Sequence, residues 1–200
     1  MGIESAQAAL SLEDRSTLLR LARQSVELAA AGKPGPAPRL EDLPGSLRAP
    51  HATFVTLTSG GNLRGCIGAL QASLPLAEDV VVHARAAATE DFRFHPVRPE
   101  EASGIEIEVS ILSDPAPLEY GDADDLIAKL RPGIDGVILA SGLHRATFLP
   151  QVWEKIPQPH QFLDLLCEKA GLPRRAWRTG HLDVLTYQVE SFQEASAAER

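Results

Sequence analysis

The sequence predicts an α+β fold of antiparallel hairpins and flanking helices, and three stretches carry that reading. Thr53-Phe54-Val55-Thr56-Leu57 is a β-branched and aromatic run that leads into Ser59-Gly60-Gly61-Asn62, residues that tolerate the positive φ of a tight reversal. Ile105 to Leu112 alternates apolar residues with Glu106, Glu108 and Ser110, the pattern of a strand with one core face. Ser11-Leu12-Glu13-Asp14 offers an N-cap hydroxyl with an acid three residues on, ahead of Leu18, Leu19, Ala22 and Val26 at helical spacing.

That first helix closes at Gly32-Lys33-Pro34-Gly35-Pro36, and prolines and glycines recur to Pro50 too often for regular structure. The hairpin follows, with Leu63 to Leu70 as its second strand. Ser73 is then positioned to cap a helix with Pro75 in its first turn and an apolar face of Leu76, Val80, His83, Ala84 and Ala87. Asp91-Phe92-Arg93-Phe94-His95-Pro96-Val97 is restricted to extended backbone at His95, because the residue before a proline avoids the helical region. Extended throughout, it sets Asp91, Arg93 and His95 on one side and Phe92 and Phe94 on the other, the two rings as a core anchor.

After the Ile105 strand, Asp122 or Asp124 starts a short helix that Pro132-Gly133 ends. Gly136 to Ala140 and Arg145 to Leu149 form a second hairpin around Ser141-Gly142-Leu143-His144. Val55-Thr56-Leu57-Thr58-Ser59-Gly60 matches Val137-Ile138-Leu139-Ala140-Ser141-Gly142, and after a turn one residue shorter Arg145 falls opposite Arg64 and Thr147 opposite Cys66. Each hairpin leads toward a helix, so the chain carries a degenerate repeat of hairpin plus helix. The second of these helices runs from about His160 to Ala170 and puts Cys167 on its packing face; Trp177 fills a hydrophobic gap, and Val184 to Val189 is a last strand. These elements make one domain over residues 1–193, or two small lobes within it, with a frayed tail over 194–200.

Composition excludes several classes of function. A net charge of −8 argues against nucleic acid as a bulk partner, since phosphate binding needs a basic surface. No apolar run approaches a membrane span, and the N-terminus, with Glu4 and no basic region, is unlike a secretory signal, so the expected location is cytoplasmic. Cys66 and Cys167, the two cysteines, make neither a disulfide framework nor a zinc site.

The chemistry-bearing stretch is Leu63-Arg64-Gly65-Cys66-Ile67-Gly68. On a regular strand Arg64 and Cys66 share a face, their Cα atoms roughly 6.6 Å apart. A guanidinium beside a thiol favours the thiolate, the nucleophilic form. Gly65 and Gly68 leave the backbone beside the thiol open to close approach. The plainer alternative is that Cys66 is a small packing residue. His83 is either a core histidine or a proton carrier near Cys66. Glu106 and Glu108 are either solvated or face Arg64 across a sheet. Asp91 and Arg93 are either a surface ion pair or one wall of a binding site. The Gly-rich turn is not a phosphate loop: it lacks a Gly-Lys-Ser/Thr ending and leads into a strand.

Together with Arg93-Phe94-x-Pro96-Val97, the strand Ile107-Glu108-Val109-Ser110-Ile111-Leu112, Phe148-Leu149-Pro150-Gln151-Val152 and Cys167-Glu168-Lys169-Ala170-Gly171-Leu172, this motif resembles the AMMECR domain family over roughly residues 12 to 193. The resemblance implies a mixed α+β fold with an internally repeated, barrel-like sheet. It also implies two companions, a MEMO-type protein related to extradiol dioxygenases and a radical-SAM protein, and it implies no firmly established activity and no known cofactor. An enzymatic role has been suspected for the motif, which here carries over to Arg64, Cys66 and their glycines. Phe92 departs from the pattern, where the family tends to have proline after the aspartate. The expected chemistry makes Cys66 the nucleophile or covalent handle, Arg64 the anion holder, Glu108 or His83 the proton carrier, and Gly65, Gly68, Asp91 and Arg93 the binding groups. A non-catalytic module that docks a partner through the same hairpin is the alternative.

Overall fold

A computed structural model describes residues 10–179 and 182–194. In chain order its elements are α1 (Leu12–Ala30), a 3-10 turn (Leu40–Asp42), α2 (Gly45–Arg48), β1 (Ala52–Ser59), β2 (Asn62–Gly68), α3 (Leu76–Thr89), α4 (Pro99–Ala102) and β3 (Ile105–Leu112). There follow β4 (Ala116–Pro117), α5 (Ala123–Lys129), β5 (Gly136–Ser141), β6 (His144–Phe148), α6 (Val152–Lys155), α7 (Pro159–Lys169), α8 (Ala176–Thr179), β7 (Asp183–Tyr187) and β8 (Val189–Gln193). The chain divides into two compact units, one reaching Leu112 and resuming at Glu190, the other Ser113–Val189. The fold is α+β with antiparallel pairing, and its sheets are open rather than closed into a barrel.

The first unit holds the sheet β2-β1-β3-β8. The expected capping box starts α1: Ser11 Oγ accepts from Asp14 N–H and the Asp14 carboxylate accepts from Ser11 N–H. The inward residues of β1, Val55 and Leu57, are fully buried with Val26 of α1 and Val80 and Ala84 of α3. Phe54, Thr56 and Thr58 alternate to the other face. Helix α3 begins later than its sequence suggests: Pro75, not Ser73, occupies the N-cap.

The second unit holds the sheet β4-β7-β5-β6. Val137 and Leu139 of β5 are buried against Phe162, Leu163 and Leu166 of α7, and Phe162 stacks on Trp153 with ring centroids 3.6 Å apart. Cys167 lies in the same core, as its helical spacing predicts, together with Trp177, the expected filler of a hydrophobic gap.

Each sheet is thus a hairpin whose first strand also pairs antiparallel with a later one, which is the repeat read from the sequence. The turns, however, are of equal length. Gly60 and Gly61, at φ 55° and 78°, close the first hairpin, and Gly142 and Leu143 the second. The extra residue of the first copy lies in the strand: Thr58 pairs with Leu63 and Leu57 with Gly65, leaving Arg64 as a bulge.

The sequence places the frayed tail from residue 194. Glu194 instead takes Arg23 in a forked ion pair and donates its N–H to Ile107 O; the rest of that tail lies outside the described residues.

Candidate functional site

The bulge at Arg64 decides where the cysteine faces. In a regular hairpin with this two-residue turn, residue 66 lies opposite Val55, on the core side. One inserted residue flips the face of everything beyond it. Cys66 accordingly pairs with Thr56, on the side away from α3. Thr56 Oγ1 donates to Cys66 Sγ at 3.4 Å, and the sulfur is half-buried. Thr56 pairs on its other side with Glu108, so Cys66, Thr56 and Glu108 form one rung of the sheet. At the usual strand spacing Glu108 lies about 9.5 Å from Cys66, Cα to Cα. Its carboxylate accepts from Ser110 Oγ at 3.4 Å.

β2 is an edge strand, and the backbone of Cys66 points off that edge into a polar clamp. The Asp91 carboxylate accepts Cys66 N–H at 2.9 Å, while Arg93 Nη2 donates to Cys66 O at 3.3 Å. Asp91 also accepts from Arg93 N–H, Nε and Nη2. Held by the Arg93 guanidinium and by these backbone N–H groups, the buried Asp91 carboxyl sits well below the usual carboxylate range despite its desolvation. The Asp91 carboxylate in turn raises Arg93, with a smaller contribution from Cys66. The pair is therefore not the surface ion pair weighed from sequence.

Other sequence expectations change as well. Arg64 is engaged by a carboxylate rather than by the thiol: its Nη2 donates to Glu101 of α4 at 2.6 Å, and among the described residues no hydrogen bond or ion pair joins it to Cys66. Glu101 is lowered chiefly by the Arg98 N–H it accepts, then by Arg64. His83 lies on the core side, its Nδ1 3.0 Å from both Thr53 Oγ1 and Asp79 Oδ2, so the sheet stands between it and Cys66. The glycines are not open. A Cβ on Gly65 would stand 2.2 Å from Ala87 O, and one on Gly68 2.3 Å from the Phe54 ring. Residues Asp91 to Phe94 form a turn, with Phe94 N–H donating to Asp91 O, rather than an extended segment. Phe92 at its tip is 95% exposed and anchors no core.

Beside the clamp is a groove of about 590 Å³ whose walls include Arg64, Phe92, Arg93, Phe94, His95 and Arg98. Sequence reasoning did not single out Thr56, Arg98 or Glu101. Thr56 follows only from the bulged register, but an aspartate two residues before an N–H it can accept is an Asx-turn signal that points to the clamp. Among the described residues no group of three or more His, Cys, Asp or Glu side chains is placed to hold a metal, and no helix is long and apolar enough to cross a membrane.

The sequence profile of the AMMECR1 family matches residues 19–192, most of the chain. The chain belongs to the AMMECR1 family. It is 41% identical to a protein of Thermofilum pendens over 94% of this chain and 92% of that one. It is 39% identical to a protein of Methanothermobacter thermautotrophicus over 94% and 97%. The crystal structure of the uncharacterized protein PH0010 from Pyrococcus horikoshii is similar at a TM-score of 0.77 and 34% identity, covering 90% of this chain and 91% of that one. An AMMECR1-family fold is therefore established across both units; these relatives assign no chemistry to the Cys66 rung.

Proposed function

We propose that this AMMECR1-family chain is a substrate-handling protein, an enzyme or the carrier of an enzyme's substrate, that works through Cys66. The thiol is the nucleophile or covalent handle, Thr56 fixes the sulfur, and Glu108, across the rung, is the proton carrier. Arg64 and Arg93 hold anionic groups at the edge of the strand. The MEMO-type and radical-SAM companions that the family resemblance implies would deliver or receive the substrate, in a cytoplasmic setting. The observation that carries this reading is the Thr56–Cys66 hydrogen bond on a half-buried face, with the backbone behind the sulfur fastened by Asp91 and Arg93. A fastened backbone holds a nucleophile in a fixed direction.

The test is alkylation of the native protein, read by peptide mass. Cys167 is fully buried, and burial pushes its thiol up, so it stays unmodified until the protein unfolds. Cys66 is expected to react faster than a small model thiol at the same pH. A Cys66 that reacts no faster, or not at all in the folded protein, defeats the proposal.

A non-catalytic docking module is the second reading. It is favoured by the packing use of Gly65 and Gly68 and by Leu63, which is 44% exposed on the same hairpin. Turnover, with co-purification as the control, separates the two: Cys66→Ser retains companion binding in either case, but abolishes turnover only under the first.

A further inference from the structure

The groove beside the Asp91 clamp contains more cationic and aromatic surface than the thiol reading uses. We infer that it binds a phosphorylated ligand carrying a planar ring, the chemistry of a nucleoside phosphate.

Three guanidinium groups line it, and two are already oriented from one edge. Asp91 takes Nε and Nη2 of Arg93, and Glu101 takes Nη2 of Arg64. Nη1 of Arg93, and Nε and Nη1 of Arg64, have no partner among the described residues. A guanidinium held at one edge loses less freedom when its remaining donors take an anion. Arg98 completes the set. Its 3.4 Å contact with Glu100 is between side chains 70% and 66% exposed, a screened pair that a ligand anion readily replaces. The three guanidinium groups are matched by Glu101 in the wall, Asp91 beneath and Glu100, the exposed partner of Arg98, so a ligand anion that displaces Glu100 meets a local positive excess. A carboxylate is satisfied by one fork, whereas three donors sets suit the three free oxygens of a phosphate monoester.

The planar ring is called for by Phe92. Its side chain is 95% exposed and borders the groove, on a turn whose backbone the Asp91 carboxylate fixes. An aromatic face presented next to phosphate-binding arginines is a platform for stacking a base. The volume, about 590 Å³, suits one nucleotide-sized molecule.

Calorimetric titration of the full chain with AMP, adenosine and inorganic phosphate tests the inference. AMP is expected to bind saturably and more tightly than either fragment, and to weaken as salt is raised to about 0.3 M. Arg98→Gln and Phe92→Ala, both exposed and outside the core, are each expected to weaken AMP about fivefold or more; Phe92→Ala leaves phosphate binding unchanged. Cys66→Ser leaves all three titrations unchanged, which keeps this test separate from that of the thiol. No saturable AMP binding up to about 10 mM, AMP binding no tighter than phosphate, or AMP binding unmoved by both variants would overturn the assignment.

Discussion

The carboxylate of Asp91 accepts the backbone N–H of Cys66 at 2.9 Å, joining a turn 25 residues later to a strand that, among the described residues, is the edge of its sheet. An edge N–H and C=O left bare invite pairing with another chain. Here Asp91 and Arg93 occupy both. Because the same carboxylate fixes the turn that presents Phe92, one buried acid organises the strand edge and the groove together.

Asp91→Asn removes the charge from these contacts, leaves Arg93 without its counter-charge and keeps only one accepting oxygen. Hydrogen bonds to a charged group are worth about 1.5–3 kcal/mol, so the variant is expected to lose about 2 kcal/mol in denaturant unfolding, with m unchanged. An unaltered midpoint would mean that the clamp is decorative.

The same group makes acid stability specific. Its folded-state pKa is depressed, so its stabilisation is fully present above the unfolded carboxylate's value, near 3.8. Below that value the unfolded chain binds the proton first, and the stabilisation is lost as pH falls toward the folded value. Wild type is therefore expected to lose stability more steeply than Asp91→Asn between about pH 4 and pH 2. Parallel curves over that window would show that Asp91 does not titrate as the geometry requires.

Gly65 is needed for packing, whatever Cys66 does. Its missing Cβ is where the backbone carbonyl of Ala87, near the end of α3, approaches the sheet. Gly65→Ala forces helix and strand apart, with an expected cost of about 1–3 kcal/mol. Gly104→Ala is the control: its Cβ would meet Glu101 O at 3.6 Å, an ordinary contact, and the thermal midpoint should barely move.

Periodic features were legible in the sequence because each depends on its own residues. The Ile105 strand alternates, Ser11 and Asp14 cap α1, and the two hairpins match along their first strands and into the turn. What stayed hidden depends on neighbours. A regular alternation puts Arg64 and Cys66 on one face, but register is set by the partner strand, and the bulge at Arg64 is what turns Cys66 toward Thr56. The bulge also accounts for the one-residue difference that the sequence assigns to the turn. His83 lies on the expected apolar face of α3, yet no helical period reveals that a sheet stands between it and Cys66. Phe92 and Phe94 read as a core anchor by composition alone. Asp91, by bonding Arg93 N–H, makes a turn instead and turns Phe92 outward.

Arg23 ties together three parts of the first unit and should be among its most sensitive polar residues. From α1 its Nη1 donates to Ala102 O at 2.8 Å and its Nη2 to Ile105 O at 2.6 Å, on either side of the entry to β3. Its remaining donors fork onto Glu194, just past β8, and the two side chains are 15% and 11% exposed. Removing the guanidinium strands a half-buried carboxylate and two carbonyls at once, so Arg23→Ala is expected to cost about 2–3 kcal/mol. Glu194→Gln keeps an acceptor and both carbonyl bonds and is expected to cost about 1 kcal/mol. Lysine cannot fork, so Arg23→Lys should fall closer to alanine than to wild type. Equal losses for Arg23→Ala and Glu194→Gln in urea unfolding would show that the ion pair alone matters and that the two carbonyl contacts contribute nothing.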